Sequence, residues 1–357
     1  MEKLTIIDQT RPDQTRPDYP IVRNSSLELL RIVAILMIIA FHLAYKSGFN
    51  FSGGSIVVNR LWVQFLGMGE SLGYVGNDIF VIISGYFLIK SSRINFTRLL
   101  NLWLRILFYS VLFFTLHVMF GQETFSFKDT ARAFMPITTR QWWFMTSYFF
   151  LYILHPLLND VIRNLNRENC RKFILLLLVS WGITLLTHPN IRFKHYLDFI
   201  CMYSLGSYIR LWADKVGSKK YILLGAFAMA ANFMCIVKFV PLNMSGIYPE
   251  DYFHAMTGAL NIIASVCMFL GFKSLNIGNI RTVNVAASAV SGVYMLHDHA
   301  FAVNFWWHRV FKAAEFQDSP YLIPYMIFAV IIVYVSCTII DLLRSRLFRA
   351  LSRGHLS

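Results

Sequence analysis

Long apolar runs constrain the fold of this chain more than any other feature of its sequence. Most of them approach the length of about 20 residues with which a helix crosses a bilayer. In hydrocarbon, every backbone N–H and C=O group must be satisfied within the protein, so such runs predict helices. The sequence therefore predicts an all-α membrane protein, a polytopic bundle of about ten transmembrane helices. The approximate limits of the runs are 27–45, 74–90, 99–120, 142–159, 172–188, 196–211, 219–240, 253–272, 286–308 and 320–343.

The composition agrees with a chain that is dissolved in lipid. Hydrophobic residues make up 56% of it and charged residues only 15%, against about 45–50% and about 25% in soluble domains. The net charge of +14 is distributed over short segments between the apolar runs, as it is in membrane proteins. The sequence thus predicts the lipid bilayer as a partner and no nucleic acid.

The distribution of Lys and Arg predicts the orientation. If the amino terminus is inside, 21 of the 33 Lys and Arg residues fall in inner segments, 9 in outer segments and 3 within helices. Positively charged residues accumulate on the cytoplasmic side, so we expect both termini to be cytoplasmic. We expect residues 1–24 to be a disordered tail, because their prolines and charges cannot form a core. Residues 25–345 are predicted to form the transmembrane domain, and 346–357 a basic cytoplasmic tail.

The first apolar run contains three ionisable residues, Glu28, Arg31 and His42. Intramembrane ionisable residues are costly and indicate function. Eleven helical steps separate Arg31 from His42, which places both side chains on one face, about 16 Å apart along the axis. Glu28 lies one turn before Arg31 and can pair with it.

This spacing suits an elongated substrate with an anionic head and a reactive tail. Arg31 is suited to bind phosphate, and His42 to act as a general base at the far end. The simpler alternative is that Arg31 and His42 only extend to the two membrane surfaces.

The second and third runs add further candidates. Asp78 is predicted at a depth similar to that of His42, where it would orient the imidazole, whereas Ser84 and Gly85 are assigned mainly to close helix packing. Arg98 and Arg105 start the third run on one helical face and are candidate phosphate contacts. A solvated inner rim is the alternative for Arg98.

The fourth and ninth runs contain aromatic and polar residues at membrane depth. Trp142 and Trp143 are typical of an interfacial belt, and Tyr148 follows in the same run. In the ninth run, His297 and Asp298 are interpreted as a polar lining. No further ligand spacing supports a metal, and none is expected.

Several of these segments together resemble the membrane acyltransferase 3 family, the bacterial O-acyltransferases of surface polysaccharides. Arg31-x10-His42, after the opening Leu27-Glu-Leu-Leu, matches the family's Arg-x10-His motif. Gly76-Asn-Asp-Ile-Phe80 and Ser84-Gly-Tyr resemble its second-helix pattern, and Tyr294-Met-Leu-His297 is similar to a later one. The matches span residues 27 to about 299. One departure is that Asn101 stands where the family often has the second Arg of an Arg-x-x-Arg motif.

The resemblance implies an acyl-CoA-dependent O-acyltransferase in the bacterial cytoplasmic membrane. The donor would be acetyl-CoA, with its phosphates at Arg31 and Arg98 and its thioester at His42. His42 would deprotonate a hydroxyl of a polysaccharide or of a lipid-linked saccharide, or would carry the acyl group itself. Outer aromatic side chains, Trp143 among them, would pack on the acceptor. A homodimer is compatible with the sequence.

Two other classes of function remain open at this point. A secondary transporter also uses intramembrane Arg, His and Asp residues, but it usually shows internal repeats and interrupted helices. We find no second copy of the Glu28–His42 pattern. A non-catalytic partner in polysaccharide export is the other alternative, and it would not need Arg31 and His42 on one helical face.

Overall fold

The computed structural model describes residues 24–51, 55–67, 71–120, 126–187, 194–239 and 249–354. Over these ranges the chain is helical and forms no β-strand, which confirms the predicted fold class. The predicted tail of residues 1–24 lies outside the described residues except for Asn24. The helices are α1 (Ser25–Lys46), α2 (Val57–Gly67), α3 (Ser71–Leu88), α4 (Phe96–Phe120), α5 (Phe127–Phe134), α6 (Trp143–Asn164), α7 (Arg167–Thr187), α8 (Lys194–Trp212), α9 (Lys220–Phe239), α10 (Pro249–His254), α11 (Ala259–Lys273), α12 (Arg281–Ala287), α13 (Val290–Asp298), α14 (Ala300–Val303) and α15 (Leu322–Gly354).

Seven helical segments within the described residues are long and apolar enough to cross a membrane. The chain is therefore a multi-pass membrane protein. The segments are Ser25–Lys46, Val57–Leu88, Phe96–Phe120, Arg167–Thr187, Lys220–Lys238, Tyr252–Lys273 and Leu322–Ala350.

Three of the ten predicted runs are not among these seven segments. The fourth and sixth runs are the helices α6 and α8. Both carry buried polar side chains, including His155 and Asn159 on α6 and Asp198 on α8, and such residues lower the hydropathy of a helix that lies inside the bundle. The ninth run is divided into α12, α13, α14 and a π-helical segment, Asn304–Phe311.

The carboxyl-terminal helix is longer than expected. The sequence placed a boundary at residue 345, with a separate basic tail after it. In the structure α15 continues without interruption from Leu322 to Gly354, so most of the basic segment is an extension of this helix.

Polar contacts fix where α1 begins. The side chain of Asn24 caps the helix by accepting hydrogen bonds from the backbone N–H groups of Ser26 and Leu27, at 3.0 and 3.4 Å. The Ser25 hydroxyl donates to the Asn284 side chain at 2.8 Å and accepts from the Ile280 N–H at the same distance. These bonds attach the start of α1 to the start of α12.

The helices α1 and α3 form the centre of the bundle, and α3 contacts α1, α8 and α11. Inner and peripheral helices differ in burial. The most apolar window of α1 is 56% buried, whereas that of α4 is 22% buried. The inner helices therefore carry the buried polar residues, while the outer ones present apolar side chains to lipid.

Glycines allow α3 and α8 to cross at backbone contact. A Cβ atom on Gly85 would lie 2.2 Å from the carbonyl oxygen of Tyr203, and one on Gly206 would lie 2.1 Å from that of Ile82. No side-chain rotation can relieve a contact with backbone. The prediction that Ser84 and Gly85 belong to a close helix contact is thus confirmed for Gly85.

An asparagine on α6 secures the end of α3. Asn159 donates to the carbonyl oxygens of Leu88 and Ser91, at 2.7 and 2.8 Å, and accepts from the Tyr203 hydroxyl at 2.7 Å. Because Tyr203 belongs to α8, this single buried amide connects three helices.

We expect Gly206→Ala to destabilise the fold, because the added methyl group forces α3 and α8 apart. Overpacking of this kind costs about 1–3 kcal/mol. The thermal unfolding midpoint of the purified protein in detergent measures the effect. Gly182→Ala in α7 is the matched control, since its Cβ would meet only the edge of the Tyr252 ring at 3.3 Å. Equal midpoints for the two variants would contradict the close crossing.

Candidate active site

The larger cavity near α1 contains two arginines. It has a volume of about 400 Å³, and Arg31 of α1 and Arg105 of α4 line it. We call it the arginine cavity. Arg31 forms an ion pair with Glu28 at 3.1 Å, as predicted, and Arg105 donates to the Ser291 hydroxyl at 2.5 Å. The two arginines make this cavity suited to an anion.

The third candidate arginine is placed elsewhere. Arg98 lies in the first turn of α4 with an exposed side chain, and it is not part of the wall of the arginine cavity. The structure therefore brings together Arg31 and Arg105, whereas the sequence favoured Arg31 and Arg98. Arg105 follows Arg98 by seven positions, and helical periodicity places the two on one face. The difference is depth, since two turns further along α4 the side chain reaches the cavity.

A second, smaller cavity adjoins the first. Its volume is about 160 Å³, and His42, Lys46 and Asp298 line it together with aromatic side chains. We call it the histidine cavity. Both cavities have Ile38, Asn77 and Tyr294 in their walls. We call these three residues the waist, because the two cavities meet there. The arginines and His42 thus lie in two cavities that share part of their walls.

Hydrogen bonds determine which nitrogen of His42 is available. His297 lies opposite His42, and its Nδ1 lies 2.6 Å from the carbonyl oxygen of Val293. A carbonyl oxygen only accepts, so Nδ1 of His297 carries a proton, and the Nε2 of the neutral ring accepts. His42 Nδ1 lies 2.9 Å from this Nε2 and donates to it. Neutral His42 is therefore protonated at Nδ1, and its Nε2 keeps the lone pair of a base.

A carboxylate lies beside this basic nitrogen. Oδ1 of Asp298 is 3.4 Å from His42 Nε2 and also pairs with the ammonium group of Lys46. Asp298 is the last residue of α13, and a helix carries partial negative charge at its carboxyl end. A proton that arrives on His42 Nε2 is stabilised by both the carboxylate and the helix end.

The carboxylate beside His42 is thus Asp298 and not Asp78, which the sequence favours for this position. Asp78 is fully buried, and its Oδ2 accepts from the Ser265 hydroxyl of α11 at 3.1 Å. It does not line either cavity. Asn77 precedes it on α3 and faces the waist, so one helical step directs the Asp78 carboxylate toward α11 instead.

The two tryptophans at the start of α6 differ from an interfacial pair. Trp142 is 1% exposed, and its ring lies 5.6 Å from that of His299, centroid to centroid. The belt prediction is therefore wrong for Trp142. Trp143 lines the histidine cavity, where the His195 ring packs against it with a centroid distance of 4.2 Å.

Two other predicted residues lie in the wall of the arginine cavity. Ser84 and Tyr148 both line it. The Ser84 hydroxyl donates to the carbonyl oxygen of Phe80 at 2.8 Å and lies 3.4 Å from the Tyr148 hydroxyl. Ser84 therefore combines a place near the close crossing of α3 with a place at the cavity.

Sequence reasoning missed several residues of this site. Lys46 was counted as an outer-loop charge, although it follows His42 by four residues and so shares its helical face. Asn77 and Tyr294 were part of quoted motifs without a role of their own. Ser291 gave no signal, because a serine in an apolar helix is common.

The histidines near Asp298 do not form a metal site. Within the described ranges, no group of three or more His, Cys, Asp or Glu side chains is arranged to hold a metal ion. His42 and His297 direct their facing nitrogens at each other, and His299 stacks on Phe113 at a centroid distance of 4.1 Å. Of the two residues predicted as a polar lining, Asp298 lines the histidine cavity, whereas His297 lines neither cavity and lies behind His42.

A family model matches most of the chain. The model of the acyltransferase 3 family, described as an acyltransferase domain, matches residues 24–341. No curated protein matches the chain, and no solved structure does. The match begins at the cap of α1, ends in α15 and includes every residue of both cavities. The chain therefore belongs to the acyltransferase 3 family.

Proposed function

We propose that the protein transfers an acyl group, most simply acetyl, from acyl-CoA on the cytoplasmic side to a hydroxyl of a saccharide on the outer side. The acceptor is a polysaccharide of the bacterial surface or its lipid-linked precursor. The family assignment supports acyl transfer, and the 21-to-9 distribution of Lys and Arg supports the orientation.

The two adjoining cavities, with arginines in one and His42 in the other, carry this proposal. Arg31 and Arg105 supply the charge that CoA phosphates require, with bidentate guanidinium geometry. Beyond the waist, the basic nitrogen of His42 is about 16 Å from Arg31 along the helix axis by the rise per residue. A donor with phosphates at one end and a thioester at the other fits this separation, with its arm through the waist.

The chemical step uses His42 as the catalytic base. Nε2 removes the proton of the acceptor hydroxyl while the hydroxyl oxygen attacks the thioester carbonyl carbon. The carbon–sulfur bond then breaks, and the proton moves from His42 to the departing sulfur. The products are an ester and free CoA. Asp298 stabilises the imidazolium form between these two transfers, and His297 holds the ring through Nδ1.

Aromatic side chains supply the acceptor side of the histidine cavity. Tyr45, Tyr74 and Trp143 line it, and Tyr45 is 60% exposed. Flat apolar faces of this kind pack against the C–H faces of a sugar ring. The acceptor hydroxyl thus reaches His42 from the end of α1 opposite to Arg31.

We expect His42→Ala to lower the rate of acyl transfer by at least about 100-fold, because general-base catalysis contributes about 10²–10⁴-fold. Release of CoA thiol from acetyl-CoA by purified protein in detergent measures this. His308→Ala is the matched control, since His308 is exposed on the π-helical segment. If His42→Ala turned over at the wild-type rate, His42 would have no part in the chemical step.

Arg105→Ala should raise KM for acetyl-CoA by about 10- to 100-fold, because hydrogen bonds to charged groups contribute about 1.5–3 kcal/mol. Arg31→Ala should have a similar effect. Arg98→Ala, in the exposed first turn of the same helix, serves as the control and should change KM by less than about 3-fold. A larger rise in KM for Arg98→Ala than for Arg105→Ala would indicate that Arg98, and not the arginine cavity, binds the phosphates.

Asp298→Asn should reduce kcat by about 10-fold or more and leave KM for acetyl-CoA nearly unchanged, because the neutral amide cannot stabilise the imidazolium. Asp78→Asn is the matched comparison. It should retain turnover in the fraction of protein that remains folded, since Ser265 and not His42 contacts this carboxylate. If only Asp78→Asn lowered kcat, the orienting role would belong to Asp78.

A further inference from the structure

The waist contains a buried polar atom that none of the described residues satisfies. Asn77 is 5% exposed, and its side-chain oxygen makes no hydrogen bond. Burying an acceptor without a donor is unfavourable, so such groups are rare in folded proteins. Because Asn77 is in the wall of both cavities, a ligand bound there can supply the missing hydrogen-bond donor.

The second polar residue of the waist is Tyr294. Tyr294 is 4% exposed, and among the described residues its hydroxyl has no hydrogen-bond partner at normal distance and angle, while the Asp298 side chain and the Phe144 backbone lie close to it. Tyr294 also lines both cavities, whereas Ile38, the third residue of the waist, is apolar. The waist thus offers one acceptor and one hydroxyl donor on otherwise apolar walls.

We propose that Asn77 and Tyr294 bind a secondary amide of the donor's arm. The Asn77 oxygen accepts from the amide N–H, and the Tyr294 hydroxyl donates to the amide carbonyl. This inference rests on the proposed function, and it deepens it by making the pantetheine part of the donor a recognised group. Asn77 and Tyr294 are positioning residues, which place the thioester at His42 without taking part in proton transfer.

The polar groups of the waist favour a secondary amide over a thioester, a carboxylate or a phosphate. A thioester carbonyl needs only donors, so it would leave the Asn77 oxygen unsatisfied. A carboxylate or phosphate would be repelled by Asp298 and by the same oxygen. A secondary amide presents a donor and an acceptor on opposite edges, and pantetheine carries such amides between its phosphate and its sulfur. The phosphates remain at Arg31 and Arg105, one cavity away.

The test compares two donors that differ by one atom. One is acetyl-4′-phosphopantetheine, and the other is its analogue in which an ester oxygen replaces the N–H of the amide nearest the sulfur. Thiol release gives KM and kcat for each donor, and ligand-induced thermal stabilisation reports binding independently of turnover. For the wild type, we expect KM to be about 10-fold higher for the ester analogue, as for the loss of one buried hydrogen bond.

Asn77→Val should abolish this preference, so that both donors have KM values within about 2-fold of each other. Tyr294→Phe should weaken both donors and retain the ratio between them, because it loses the contact to the carbonyl that both share. Tyr334→Phe is the matched control, since Tyr334 lies on α15 and lines neither cavity. It should leave both KM values unchanged.

The outcomes separate this inference from the proposed function. Equal KM values for the two donors in the wild type would overturn amide recognition while leaving acyl transfer intact. This comparison uses only the wild type, so it does not depend on whether a variant folds. A ratio that persists in folded Asn77→Val would overturn the role of Asn77. If the wild type neither bound nor cleaved either donor, the acyl-CoA function would fail, and amide recognition with it.

Discussion

The hydrogen bond between His42 and His297 is the contact on which the arrangement of the site depends. It joins α1 to α13, two helices whose residues are about 250 positions apart in the chain. The carbonyl oxygen of Val293 sets the proton of His297, and His297 in turn sets that of His42. A backbone group one helical turn away thereby decides which nitrogen faces the cavity. Because both rings are buried, this chain of donors and acceptors has few competing partners.

The end of α13 places a negatively charged group, the Asp298 carboxylate, beside the contact between His42 and His297. Because the helix ends at Asp298, the carboxylate lies at the helix end beside His42 and Lys46 rather than one turn away. The next residue, His299, has an extended backbone conformation and begins α14. Interrupted helices in membranes occur where the backbone lines a cavity or is buried in protein. The division of the ninth apolar run is therefore part of the site, and it is the feature that hydropathy alone could not detect.

Much of the fold could be predicted from the sequence, because apolar runs of membrane length leave few alternatives. The pairing of Glu28 with Arg31, and the shared face of Arg31 and His42, follow from helical periodicity within one segment. Contacts between segments do not follow from it. Asp78 and Asp298 were both acidic residues at suitable depth, and only the packing of α3 against α11 and of α13 against α1 distinguishes them. Periodicity likewise gave the direction of Arg98 and Arg105, but only the cavity wall shows which turn reaches it.

The waist also has a consequence for the membrane itself. A route from Arg31 to His42 of constant width would be a water-filled pore, and protons and ions would leak through it down their gradients. Between a cavity of about 400 Å³ and one of about 160 Å³, the chain places Ile38 and two buried side chains. A slender arm can occupy such a constriction and seal it. If the donor's arm occupies this constriction as proposed, the same three residues also limit the leak of protons and ions across the membrane.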